Sequence, residues 1–269
     1  MKRNVLSPFL FVALLVLAVG LACGIDFGTK TPEPGPQPII PSTSAPIQPT
    51  NAPIQQPTQQ EIVQPTAIPP TVAPASPFFK EEFNSDVLGD WTNFIRKDDP
   101  KSSDSKAKYA IENGKLVFRI EDNYLYSYLI YSKQSYEDVR VEISADNRGK
   151  NNNNVSLLCR YTKDGWYEFN IASNGLFNIL AYDATGAVHK GYNAIYTSGS
   201  NAIKMGKETN VYVAICSGKT LSLYINGEAS ASIDDNRFGF TNGNVGMSVS
   251  SFNVYPIIVE FDYFDIQKP

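Results

Sequence analysis

From Cys159 to Ile171 the chain reads Cys-Arg-Tyr-Thr-Lys-Asp-Gly-Trp-Tyr-Glu-Phe-Asn-Ile, two alternating runs around a Lys163-Asp164-Gly165 turn. With Lys163-Asp164 as the turn centre, a hairpin sets Tyr161 opposite Trp166, Arg160 opposite Tyr167 and Cys159 opposite Glu168. Side chains alternate between the two faces of a strand. One face then carries Tyr161, Trp166, Glu168 and Asn170, and the other Leu158, Arg160, Tyr167, Phe169 and Ile171. The first face mixes flat rings with a carboxylate and an amide. A sugar packs its C–H-rich face on a ring and bonds its hydroxyls to carboxylate, amide or guanidinium groups. Tyr161, Trp166, Glu168 and Asn170 are therefore expected to form a glycan platform, with Arg160 as a further ligand-binding candidate. The same set also reads as cross-strand pairing that stiffens an exposed sheet. A register slip of one residue would exchange the faces.

Other chemistry is sparse. His189 is the single histidine, in an expected loop beside Lys190 and Gly191, so neither a multi-histidine metal site nor an evident Ser-His-Asp arrangement is available. No glycine-rich phosphate loop or dinucleotide fingerprint occurs. Asp234-Asp235-Asn236 lacks the spacing of a calcium loop and reads as a turn. Residues 78–269 hold 20 Lys and Arg against 24 Asp and Glu, which gives no basic field for nucleic acid.

The elements that must position these residues are strands. Leu116–Ile120, Val139–Ser144, Val211–Ile215, Leu221–Ile225 and Val259–Tyr263 alternate with a period of two, and no long amphipathic helical pattern appears. Glu112-Asn113-Gly114, Ser173-Asn174-Gly175, Asn226-Gly227 and Asn242-Gly243 supply the residues that tight turns require. Short strands joined by tight turns over nearly 200 residues predict an all-β, two-sheet antiparallel sandwich. Long loops are expected at 97–107, 146–154 and 184–209.

The N-terminus is organised differently. Met1-Lys2-Arg3 precedes an apolar run from Val5 to Ala22, the order of a secretory signal. Gly20-Leu21-Ala22-Cys23 resembles the lipobox of bacterial lipoproteins, which implies lipidation of Cys23, removal of residues 1–22 and an extracytoplasmic, membrane-anchored protein. An uncleaved anchor helix is the alternative, because the apolar run is near the length needed to span a bilayer. Residues 24–77 hold 14 of the 18 prolines, among Thr, Gln, Ser and Ala. This composition cannot bury enough apolar surface to fold, so 23–77 is expected to be a disordered tether and 78–269 a single domain. In such an oxidising compartment the pair Cys159 and Cys216 is most simply a disulfide joining two strands. Two separate buried thiols are the other reading.

A resemblance sharpens the fold. Lys80-Glu81-Glu82-Phe83-Asn84-Ser85 with Trp91, the Cys159–Asn170 segment, Leu221-Ser222-Leu223-Tyr224-Ile225-Asn226-Gly227 and Phe261-Asp262-Tyr263-Phe264-Asp265-Ile266 are similar to the concanavalin A-like lectin/glucanase superfamily. They are closest to its laminarinase-like jelly rolls and non-catalytic extracellular modules. The resemblance implies a jelly-roll sandwich over 78–269 and places the sugar platform on its concave sheet. It also raises a structural calcium, with Asp262 matching the closing-strand aspartate and Glu82 near the first strand. The E-x-D-x-x-E strand that carries the glucanase acids is absent. The expectation is a domain that binds carbohydrate or another envelope polymer without catalysis. A glycoside hydrolase-related enzyme and a structural or protein-docking domain stand as alternatives.

Overall fold

The structure, a computed structural model, describes residues 76–269. The signal segment 1–22, the lipidation site Cys23 and nearly all of the 23–77 tether lie outside the described residues. Fifteen strands are present: β1 (Phe79–Glu81), β2 (Trp91–Lys97), β3 (Ala107–Glu112), β4 (Lys115–Ile120), β5 (Leu125–Tyr136), β6 (Val139–Asn147), β7 (Asn153–Tyr161), β8 (Gly165–Ala172), β9 (Leu176–Asp183), β10 (Gly191–Gly199), β11 (Thr209–Ser217), β12 (Thr220–Ile225), β13 (Glu228–Asp234), β14 (Gly243–Ser251) and β15 (Ile257–Gln267). They form two antiparallel sheets. One runs β13-β12-β11-β6-β15-β4-β3, with β1 also on β15, and the other runs β10-β9-β8-β7-β14-β5-β2.

The expected strands are all present, and their patterns explain the core. Leu116, Phe118 and Ile120 on β4 and Val139, Val141 and Ile143 on β6 are fully buried. They meet Leu157, Phe169, Ile179 and Val249 from the other sheet in one core. Asn113-Gly114 and Asn226-Gly227 both have positive φ at the two turn positions, the geometry of a two-residue hairpin. The first and last strands of the domain pair through Phe79 with Ile266 and Glu81 with Phe264.

One expectation changes. The stretch 184–209 is not one loop, since β10 occupies its middle and pairs with β9. On β11 the core face is Tyr212, Ala214 and Cys216, while Val211, Val213 and Ile215 turn outward. The disulfide fixes that choice, because Cys216 must point inward to reach Cys159.

Cys159 on β7 is bonded to Cys216 on β11, with Cα atoms 6.6 Å apart, so the bond crosses from one sheet to the other. It closes a separation of 57 residues. Chain-entropy reasoning assigns such a loop about 4 kcal/mol, before native-state strain is subtracted. A Cys159→Ala/Cys216→Ala variant is expected to lose about 2–4 kcal/mol of unfolding free energy in urea melts, with the fold kept by circular dichroism.

Candidate functional site

On β8, Tyr167, Phe169 and Ile171 enter the core, so Trp166, Glu168 and Asn170 face out of the sandwich. Tyr161 joins them, as the alternation predicts. The remaining register differs by one residue. Cys159 lies opposite Tyr167 and Leu158 opposite Glu168. Between Leu158 and Tyr161, β7 has one residue more than the facing stretch of β14, and Arg160 takes a φ of 55° there. This bulge, invisible in the alternation, sends Leu158 to the outer face and Cys159 into the core.

Arg160 therefore leaves the expected set. It is 2 % exposed and donates from Nε to the Glu137 carbonyl at 2.8 Å and from Nη1 to the Phe240 carbonyl at 2.8 Å. Its Nη2 reaches Asp138 at 3.3 Å. These groups belong to loops at one end of the sandwich. Asp262 and Glu82 are not assembled into a cation site. Asp262 is exposed and paired with Lys115 at 2.7 Å, and Glu82 pairs with Lys80 at 3.5 Å. Among the described residues, no group of three or more His, Cys, Asp or Glu is placed to hold a metal ion.

The outer face of the seven-stranded sheet is curled. Tyr192 on β10 and Tyr128 on β5 share a bond between their hydroxyls, although five strand spacings separate them in the sheet order. In a flat sheet, at about 4.8 Å per spacing, they would stand roughly 24 Å apart. Arg96 on β2 and Tyr182 on β9 are equally distant in order, yet Nη1 and the hydroxyl meet at 2.5 Å. Only a sheet rolled toward this face brings such pairs together. On β14 the face carries Gly246, Ser248 and Ser250, in register with Ile130, Tyr128 and Tyr126 of β5 respectively. A Cβ on Gly246 would stand 2.6 Å from the Leu129 carbonyl oxygen and from Ile130 Cδ1. The strand beneath the fold line is thus stripped of bulk.

At the bottom lies Glu168, 2 % exposed. One oxygen accepts from Ser156 Oγ at 2.7 Å, and the other from Tyr192 at 3.1 Å, Tyr128 at 3.2 Å and Trp166 Nε1 at 3.2 Å. None of the ion pairs among the described residues includes it. Burial, followed by the Glu168 charge, pushes both phenols well above their ordinary range, so each remains a donor. Two hydroxyl protons must serve three contacts: each tyrosine with Glu168, and the tyrosines with one another. One contact is always short of a proton.

The platform expected from the hairpin is consequently covered. Trp166 is 4 % exposed, with Tyr182 stacked on it at 4.1 Å and Tyr161 at 5.2 Å. Phe94 and Tyr192 close its edges at 6.0 and 6.3 Å. Asn170 is held by Ser156 and faces Asn154 at 2.6 Å. The groups left facing solvent are Tyr192, Tyr182, Tyr161 and the Arg96 guanidinium, which lies 4.4 Å above the Tyr182 ring. Beside Arg96 the face opens into a groove of about 410 Å³ lined by Tyr124, Tyr126, Phe252 and Asp98. Tyr126 donates to Asp98 there at 2.6 Å. The sequence did carry a sign of this half, the Tyr124-x-Tyr126-x-Tyr128 alternation. Tyr192 was hidden in a stretch read as loop, and Arg96 in a stretch with no chemical pattern.

Asp183 fixes the approach to β10. It accepts backbone N–H groups of Val188, Gly186 and His189 and both groups of Thr185, which hold its carboxyl well below the usual range. His189 thus contributes its backbone rather than its ring.

The comparisons with known proteins agree on the fold. The family model for the 3-keto-alpha-glucoside-1,2-lyase-like domain matches residues 79–257. A beta-glucanase from Bacillus licheniformis superposes with a TM-score of 0.53 at 14% identity, over 71% of this chain and 98% of its own. A Bacillus subtilis protein of unknown function with a galectin-like fold gives 0.54 at 9% identity, over 71% and 94%. A Bacteroides ovatus mixed linkage glucan GH16 protein gives 0.52 at 12%, over 70% and 99%. No curated protein matches the chain. The sandwich is the concanavalin A-like jelly roll that the sequence resembles.

Tyr182→Ala should uncover Trp166 while leaving Trp91, a core residue, untouched. The expected result is a red-shifted emission component newly quenched by acrylamide; unchanged emission would show that the cover lies elsewhere.

Proposed function

Given that the chain belongs to the 3-keto-alpha-glucoside-1,2-lyase-like domain family, we propose that its curled sheet binds a saccharide chain without cleaving it. The observation that carries this reading is the bridging of the curl. Tyr192 reaches from one edge strand to Glu168 and Tyr128, and Arg96 reaches from the other to Tyr182. Hydroxyls on a carboxylate and a guanidinium on a hydroxyl, beside exposed rings, are the contacts a sugar makes. Tyr192 stands where a ligand hydroxyl would bond. Its strand is held lightly: every residue of β10 is exposed or half-buried.

In this reading a sugar hydroxyl replaces the Tyr192 hydroxyl on Glu168 and relieves the proton shortage among the three contacts. Tyr182, Tyr161 and Arg96 then flank the sugar, and the groove at Tyr126 and Asp98 takes the next unit. Binding without cleavage is supported by the missing E-x-D-x-x-E strand. It is also supported by Glu168 itself, whose two oxygens already accept from five side chains. Paired-carboxyl hydrolysis needs a second acid about 5–9.5 Å away on the other side of the bond.

The proposal extends to location. The lipobox-like Gly20–Cys23 and the proline-rich segment support a domain tethered to the outer face of a membrane by lipid on Cys23, facing envelope or environmental polymer.

The test is calorimetric titration of the full chain in detergent with a panel of soluble glucans, alongside chromatography for released sugars. Saturable binding without products is expected. Glu168→Gln should weaken it roughly tenfold or more, since a bond to a charged acceptor contributes about 1.5–3 kcal/mol. Tyr192→Phe should tighten it several-fold, because the self-made bond no longer competes and such bonds contribute about 0.5–1.5 kcal/mol. Release of oligosaccharides would favour the enzymatic reading. Absence of binding by the folded protein would favour a docking or structural domain.

A further inference from the structure

At the end of the sandwich where Cys159 joins Cys216, loops of both sheets surround a cleft of about 430 Å³. This size falls within the range of small-molecule sites, about 300–1,000 Å³. We propose that this cleft is a second ligand site, for one neutral sugar unit or a similar polyol, separate from the curled face.

The floor is built as a site is built. Arg160 and Tyr167, each 2 % exposed, line it. A guanidinium carries five N–H donors, and three are engaged, with two carbonyls and Asp138. Two remain for a ligand. The residue holds a φ of 55°, a conformation that a non-glycine residue keeps only where its surroundings enforce it. Enforcement comes from the adjacent disulfide and from the bulge in β7.

The walls are fixed as well. Asp235 is 4 % exposed and accepts from the Tyr167 hydroxyl at 2.5 Å and from the N–H groups of Arg237, Phe238 and Gly239 at 2.9–3.1 Å. The Phe240 N–H bonds back to the Tyr167 hydroxyl at 3.1 Å, which fixes this residue at the cleft with its ring 5.1 Å from that of Tyr167. Asp138 accepts the Gly218 N–H at 2.7 Å, tying a loop of the other sheet to the same point.

The lining selects the ligand class. Glu137 and Asp138 on the rim oppose an anion, while Arg160 and Lys219, whose ammonium also pairs with Asp234 at 3.2 Å, oppose a cation. A neutral polyol satisfies both pairs, donating to the carboxylates and accepting from the guanidinium and the ammonium. The Phe240 ring supplies a wall for its C–H face.

The test is a titration of the isotope-labelled full chain with glucose, following the amide signals of Gly218, Lys219, Gly239 and Thr241 and the indole N–H signal of Trp166. Saturable shifts at the cleft amides are expected. Thr241→Trp, an exposed-site change that fills the cleft with an indole, should abolish them. Lys219→Ala should weaken them about fivefold, the loss of one modest hydrogen bond. Shifts confined to Trp166 would overturn this site and leave the curled face standing, whereas cleft shifts with a silent Trp166 would do the reverse. Cleft signals that answer acetate but not glucose would overturn the ligand class.

Discussion

Glu168 is a carboxylate removed from water with no cation paired to it, and the form of the seven-stranded sheet follows from how that burial is offset. An isolated buried charge is among the costliest features a fold can carry. Bonds to a charged acceptor recover more than neutral ones do. The five donors come from β5, β7, β8 and β10. They converge only if the sheet rolls, and it can roll because Gly246, Ser248 and Ser250 leave β14 without bulk on that side. Curvature, aromatic closure and carboxylate burial are one arrangement.

That arrangement has a consequence for binding. A cleft filled by its own side chains lowers apparent affinity by the fraction of molecules that are open. The closure is weakest where Tyr192 arrives, on an edge strand without a buried residue and with one proton too few for its contacts. On the proposed reading, a ligand must therefore offer hydroxyls as good as tyrosine's together with a face to lie on Tyr182. An apolar molecule would strip donors from Glu168 and replace none. Self-occupancy works as discrimination, since a wrong partner leaves buried polar groups unpaired.

The sequence made some of this legible and hid the rest, for identifiable reasons. Period-two runs disclosed β4, β6, β11, β12 and β15, and the Cys159–Cys216 pair disclosed how the sheets are joined. On β8 the alternation put Trp166, Glu168 and Asn170 on one face correctly. It could not show that five strand spacings collapse into one hydroxyl contact, because curvature belongs to the whole sheet. An open platform was therefore read where there is a covered cluster. The bulge at Arg160 escaped for the opposite reason: it is one residue wide, and arginine gives no hint of a positive φ. That residue moved Leu158 out, Cys159 in and Arg160 to the end of the sandwich.

The two outer faces differ in what they present to solvent. On the eight-stranded sheet the outward positions carry Arg140 with Glu142, Arg148 with Asp146 and Glu260, Arg119 with Glu112, and Lys115 with Asp262. Such exposed pairs add little stability each, and the apolar groups among them, Val211, Ile215 and Tyr224, stand apart between charges rather than gathered in one cluster. The other sheet carries Phe94, Tyr126, Tyr161, Tyr182 and Tyr192 outward, drawn together over one carboxylate. If solubility alone had shaped that face, it would resemble its neighbour. Aromatic surface gathered on one side, with its polar groups turned inward rather than to water, supports the binding face proposed above.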